Sequence, residues 1–143
     1  MRSGLLLLGT LLALESACPA VAQGTCSKAD FESVVDEAAS ALRGLAQQNT
    51  PQFQAKLRQL KAKRGWSDDQ FLKEAEPLVR DDKIAEFDQK SETLLLRITD
   101  GGQAGAPDCS LLAGLRASMA TLVETQQAKW TYMFGKIDRE LGR

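Results

Sequence analysis

Few residue types in this 143-residue chain can do chemistry, and histidine is not among them. Without imidazole there is no Ser-His-Asp or Cys-His nucleophile, no histidine general base, and little of the usual ligation of zinc, copper or haem. No Cys-x-x-Cys-His motif is present to attach a c-type haem. Gly101-Gly102-Gln103-Ala104-Gly105 lacks the following lysine and the preceding strand of a phosphate loop. Carboxylates are what remain. Two acids suffice for glycosidic hydrolysis, so Glu74, Glu76, Asp81 and Asp82 define the enzymatic reading, a carboxylate-dependent envelope glycan hydrolase. Glu74 and Glu76 diverge on a helix, however, and Asp81 and Asp82 stand where aspartate caps a helix start. No spacing singles out a pair. The sequence therefore favours a non-enzymatic protein with no cofactor and no bound metal.

The three cysteines have a different use. Arg2 followed by the apolar run Leu5 to Leu14 and then by Ala20-Val21-Ala22 reads as a secretory signal peptide spanning residues 1–22, cleaved before Gln23. The run is half the roughly 20 residues that span a bilayer, so no integral membrane segment is expected after cleavage. Cys18 departs with the leader; lipidation there is the rival reading, and Glu15 is the wrong residue three positions upstream. Cys26 and Cys109 remain for one disulfide in a periplasmic or secreted protein. Removing Arg2 and Glu15 leaves the net charge at −1. Such a balance argues against nucleic acid as a partner, which selects a clear positive excess.

Two clusters could make contacts. Lys56, Arg58, Lys61, Lys63 and Arg64 resemble an anion or partner patch, but on a helical wheel they flank the Phe53, Leu57, Leu60 stripe on both sides. Their place near a helix C-terminus is favourable in itself. Trp130, Tyr132, Met133 and Phe134 either complete the core, with Tyr132 exposed, or form a partner-binding surface. Aromatics and methionine outside a core are typical of interfaces.

These residues must be positioned by helices, because apolar residues recur at three- and four-residue spacing through residues 23–143, expected to be one domain. A first helix is expected from Ser27 to near Asn49, carrying Phe31, Val34, Ala38 and Leu42. Thr50-Pro51 restarts a second, which Gly65 stops. Ser67-Asp68-Asp69-Gln70 is a capping box for a third that bends or ends at Pro77. Asp81 or Asp82 caps a fourth, closed by Gly101-Gly102, and residues 101–108 form a linker. The last helix, from Cys109 to Leu141, would be roughly 50 Å long and about twice the first, so part of it should project or be covered by a partner. The expected fold is all-α: a small up-down bundle with a long C-terminal helix, stapled by a disulfide between two helix N-termini. The expected function is protein-protein contact in the cell envelope, as an adaptor or homo-oligomer. A periplasmic chaperone or inhibitor is the alternative.

Overall fold

The computed structural model describes residues 26–104 and 108–142. The expected leader, its cleavage site and Cys18 lie outside them. Four helices follow in order: α1 (Lys28–Arg64), α2 (Asp68–Val79), α3 (Asp82–Ala104) and α4 (Cys109–Leu141). The bond between Cys26 and Cys109 is present, with Cα atoms 5.4 Å apart, inside the ordinary disulfide range. It ties the beginnings of α1 and α4 together, while Arg64 pairs with Glu140 (2.7 Å) and Lys63 Nζ donates to the Leu141 carbonyl (2.9 Å) at their ends. The two long helices therefore run parallel. α3 runs against both: its start meets Lys136 through Asp81, and its end meets Leu115 at Gly101. Short α2 packs on α4 at the end remote from the disulfide.

Local chemistry explains most boundaries. Ser27 and Ser67 each accept from the N3 backbone N–H, and Asp30 and Gln70 reach back to the cap N–H, completing two capping boxes. Gly65 ends α1 in the left-handed conformation at φ 65°. Of the two candidate caps for α3, Asp81 is the one used; its carboxylate accepts from the Ile84 N–H at 2.8 Å.

Three expectations are corrected. Thr50-Pro51 does not restart a helix: α1 passes through Pro51 without interruption and, at 37 residues, is longer than α4 at 33. An interior proline loses the bond to the carbonyl four residues back and costs roughly 3 kcal/mol. That carbonyl belongs to exposed Gln47, where water can serve it. Burial of Phe31, Val34 and Ala38 before the proline and of Phe53 and Leu60 after it, all along the α1–α4 seam, outweighs the penalty. Because α1 accompanies α4 along its whole length, α4 has no overhang. Pro77 lies in the last turn of α2, which ends two residues later at Val79, close to the expected stop.

Gly101-Gly102 is the third correction, since α3 runs on to Ala104 and the expected linker from 101 to 108 starts too early. These glycines are contact points. A Cβ on Gly101 would meet the buried Leu115 side chain, and one on Gly102 would overlap Val35 Cγ2. They let α3 close against α4 and α1. Gly44 and Gly114 have open space where a Cβ would stand. Gly102→Ala is therefore expected to destabilise by about 1–3 kcal/mol through overpacking, despite its better helix propensity. Gly44→Ala should stabilise by up to about 1 kcal/mol. Urea midpoints that shift in the same direction for both would refute this contrast.

The apolar interior falls into two clusters. Phe31, Val34, Leu94, Ile98, Leu115 and Leu122 fill the disulfide end; Phe53, Leu60, Leu78, Ile84, Met133 and Ile137 fill the other. Between them the bundle has a polar waist. Ser91, in a slot where the periodicity wants an apolar residue, is buried, donates to the Phe87 carbonyl (2.8 Å) and accepts from Gln126 Nε2 (2.7 Å). Buried Thr125 donates to the Thr121 carbonyl. Among the described residues no buried side-chain nitrogen or oxygen lacks a partner, as polar groups removed from water require. No helix among them is long and apolar enough to cross a membrane.

Candidate functional site

The basic run is dispersed by the fold. Lys56 pairs with Asp138, Lys61 with Asp68, Arg64 with Glu140, and Lys63 takes the α4 C-terminal carbonyl of Leu141. Arg58 is exposed. Four of the five cations thus join α1 to α4 or to the start of α2 and converge on no common cleft.

The four acids are also kept apart in role. Glu74 and Asp82 are exposed, and Glu76 pairs with Arg80 one turn away. Asp81 sits at a junction: one carboxylate oxygen caps α3, while the other accepts from Lys136 and from the Tyr132 hydroxyl (2.9 Å). Lys136 also donates to the Pro77 carbonyl, so a single ammonium ties α4 to the α2–α3 turn. Lys136 foremost, then the Ile84 N–H, with a lesser part from Tyr132, hold the Asp81 carboxyl at about 2, against a partial desolvation that opposes them. Its acceptance from Tyr132 in turn pushes that phenol up.

A folded pKa below the unfolded value of about 3.9 means that the carboxylate stabilises the fold fully above pH 4. The contribution is lost as pH falls from about 4 toward 2. Asp81→Asn keeps a capping side chain but removes the charge. The expected result is a lower melting temperature at pH 7 and a shallower decline between pH 4 and 2 than in the parent. Parallel acid profiles would show that Asp81 carries no linkage.

The C-terminal cluster divides. Met133 is buried, Tyr132 is occupied by Asp81, and Trp130 and Phe134 are half-buried against Phe53. Phe53 meets both rings edge-on, at centroid distances of 6.1 and 5.5 Å. Their other surroundings form a groove of about 330 Å³ between α1 and α4, lined by Leu45, Gln48, Asn49, Gln127, Trp130, Thr131 and Phe134. The Asn49 amide donates to the Leu45 carbonyl and the Thr131 hydroxyl to that of Gln127. The side-chain amides of Gln48 and Gln127 and the indole N–H of Trp130 take no partner among the described residues.

Among the described residues no charged side chain lines this groove. The groove between α1 and α3 carries Lys28, Glu32 and Asp36, and that between α3 and α4 carries Lys83, Glu86, Lys90 and Glu124. The sequence held a sign of the difference. Gly44–Ala55 has no charge in a chain where 26% of residues are charged, and it holds Gln47, Gln48, Asn49, Gln52 and Gln54. Reading Thr50-Pro51 as a boundary cut that run in two, and only the pairing of α1 with α4 sets it beside Gln127 and Trp130. Compared with protein-family models, with curated proteins and with solved structures, the chain finds no match in any of the three.

Proposed function

We propose that this chain is an exported, non-enzymatic binding protein that works by contact, and that its contact surface is the α1–α4 groove beneath Trp130. The observation that carries the reading is half-buried Trp130, which lines a cleft that holds the unpaired amides of Gln48 and Gln127 and, among the described residues, no charged side chain. Part-exposed aromatic residues seated among polar neighbours are the usual anchors of recognition surfaces. An adaptor joined through the same groove fits this reading better than one joined through a projecting helix, because α1 flanks α4 to its end. A client-binding chaperone is less well supported. The exposed large apolar residues, Leu72 and Val79 on α2, Leu95 and Leu96 on α3 and Leu111 on α4, are distributed over three helices, and singly exposed apolar side chains are ordinary.

Photo-crosslinking in the native cell tests the proposal. A photoreactive residue at Gln48 is expected to give discrete adducts that the same probe at Lys90, in the charged groove between α3 and α4, does not give. Trp130→Ala should diminish them. Equal labelling at both positions, or none at Gln48, would overturn it.

A further inference from the structure

Resting on that reading, we infer that the groove's ligand is a neutral saccharide. Its lining restricts the chemistry from two sides. With no ionic side chain in the wall, a charged ligand would lose hydration and gain no counter-charge. A wholly apolar ligand would strip water from the Gln48 and Gln127 amides and return no hydrogen bond. What fits both constraints is an uncharged molecule with hydroxyl or amide groups around its edge and a C–H face. Side-chain amides supply two donors and an acceptor each, which suits vicinal hydroxyls. Trp130 and Phe134, with ring centroids 6.1 Å apart, both line the groove and are the aromatic residues there that a sugar's C–H groups can contact.

Size and borders favour a small ligand over a peptide. About 330 Å³ lies at the low end of small-molecule sites, which span roughly 300–1,000 Å³. The uncharged stretch of α1 is bracketed by Arg43 and Lys56, so an extended uncharged peptide crossing it would run onto charged margins. The groove is shaped by α1 and α4 backbones held in parallel by the disulfide at one end and by the Arg64–Glu140 pair at the other.

The test uses the disulfide-bonded protein labelled with ¹⁵N, following the Trp130 indole N–H. The probes are the neutral trisaccharides of N-acetylglucosamine and of glucose, the cationic trisaccharide of glucosamine, the anionic trisaccharide of galacturonate, and an uncharged peptide of glycine, proline and leucine. Saturable shifts from at least one neutral sugar are expected, with the charged sugars at least about tenfold weaker. Trp130→Ala, followed through the groove's backbone amides, should weaken binding about tenfold, the scale of a central aromatic anchor. Gln48→Ala and Gln127→Ala alter exposed side chains that the fold does not use, and each should weaken binding several-fold; Leu72→Ala, on α2, should not. No shift with either neutral sugar, or equal response to the charged sugars, overturns the assignment. A response to the peptide alone overturns it too, yet leaves the groove as a binding site; absence of Gln48 adducts in cells would remove both.

Discussion

Replacing Cys26 and Cys109 together by serine is expected to lower the free energy of unfolding by about 2–5 kcal/mol, measured as the difference in urea unfolding between the oxidised protein and the double variant. The bond closes a loop with a sequence separation of 83, and the chain-entropy model assigns such a loop about 4.5 kcal/mol, with measured values often smaller. Since domains of this size are stable by only about 5–15 kcal/mol, the loss is a large fraction of the total. Its effect should be uneven along the bundle. Arg64–Glu140 and Lys136–Asp81 remain at the far end, whereas the first turns of α1 and α4 lose their covalent tie. Amide exchange is expected to rise most around Phe31 and Leu112, and least around Leu60 and Ile137. A double variant as stable as the parent, with uniform exchange, would mean that packing of Phe31 and Val34 alone holds that end.

The second large effect lies at the other core. Phe53→Ala is expected to cost about 3–5 kcal/mol, the range for emptying a buried phenylalanine site, because Phe53 is 4% exposed and meets both Trp130 and Phe134 edge-on. Phe53 also packs against the two aromatic rings that line the groove, so the same change should release both and alter the indole environment. Phe53→Leu separates the two consequences. An aliphatic side chain refills most of the space at a smaller cost, yet removes the edge-on contacts that fix the rings. Equilibrium urea unfolding supplies the first quantity and the indole resonance the second. A loss below about 1 kcal/mol for Phe53→Ala would show that the neighbouring helices collapse onto the vacancy and that the groove is not built on this ring.

Residues acting over one or two turns were legible from their order alone. Ser27 with Asp30, Ser67 with Gln70, and Gly65 marked helix ends because a cap is completed by backbone groups three or four positions away. The apolar spacing announced helices and the cysteine pair announced their common end. Signals whose meaning depends on what lies opposite were not legible. Thr-Pro is equally the start of a helix and a tolerated interior defect, and the α4 surface beside α1 selects the second. Gly101-Gly102 is equally a stop and a close approach, and Val35 and Leu115 select the second.

The amino-acid sequence by itself determined the all-helical class, the disulfide pairing, the caps at Ser27, Ser67 and Gly65 and the absence of imidazole chemistry, because each depends on residue type and short-range spacing. Only the tertiary structure decided that α1 is continuous, that α4 has no free overhang, and that an uncharged run from 44 to 55 faces Trp130 and Gln127. Those facts arise from the pairing of helices about 80 residues apart in the chain, where the burial free energy of a shared seam, of order 1.5–3 kcal/mol per large apolar side chain, exceeds a local penalty that no short window can weigh against it.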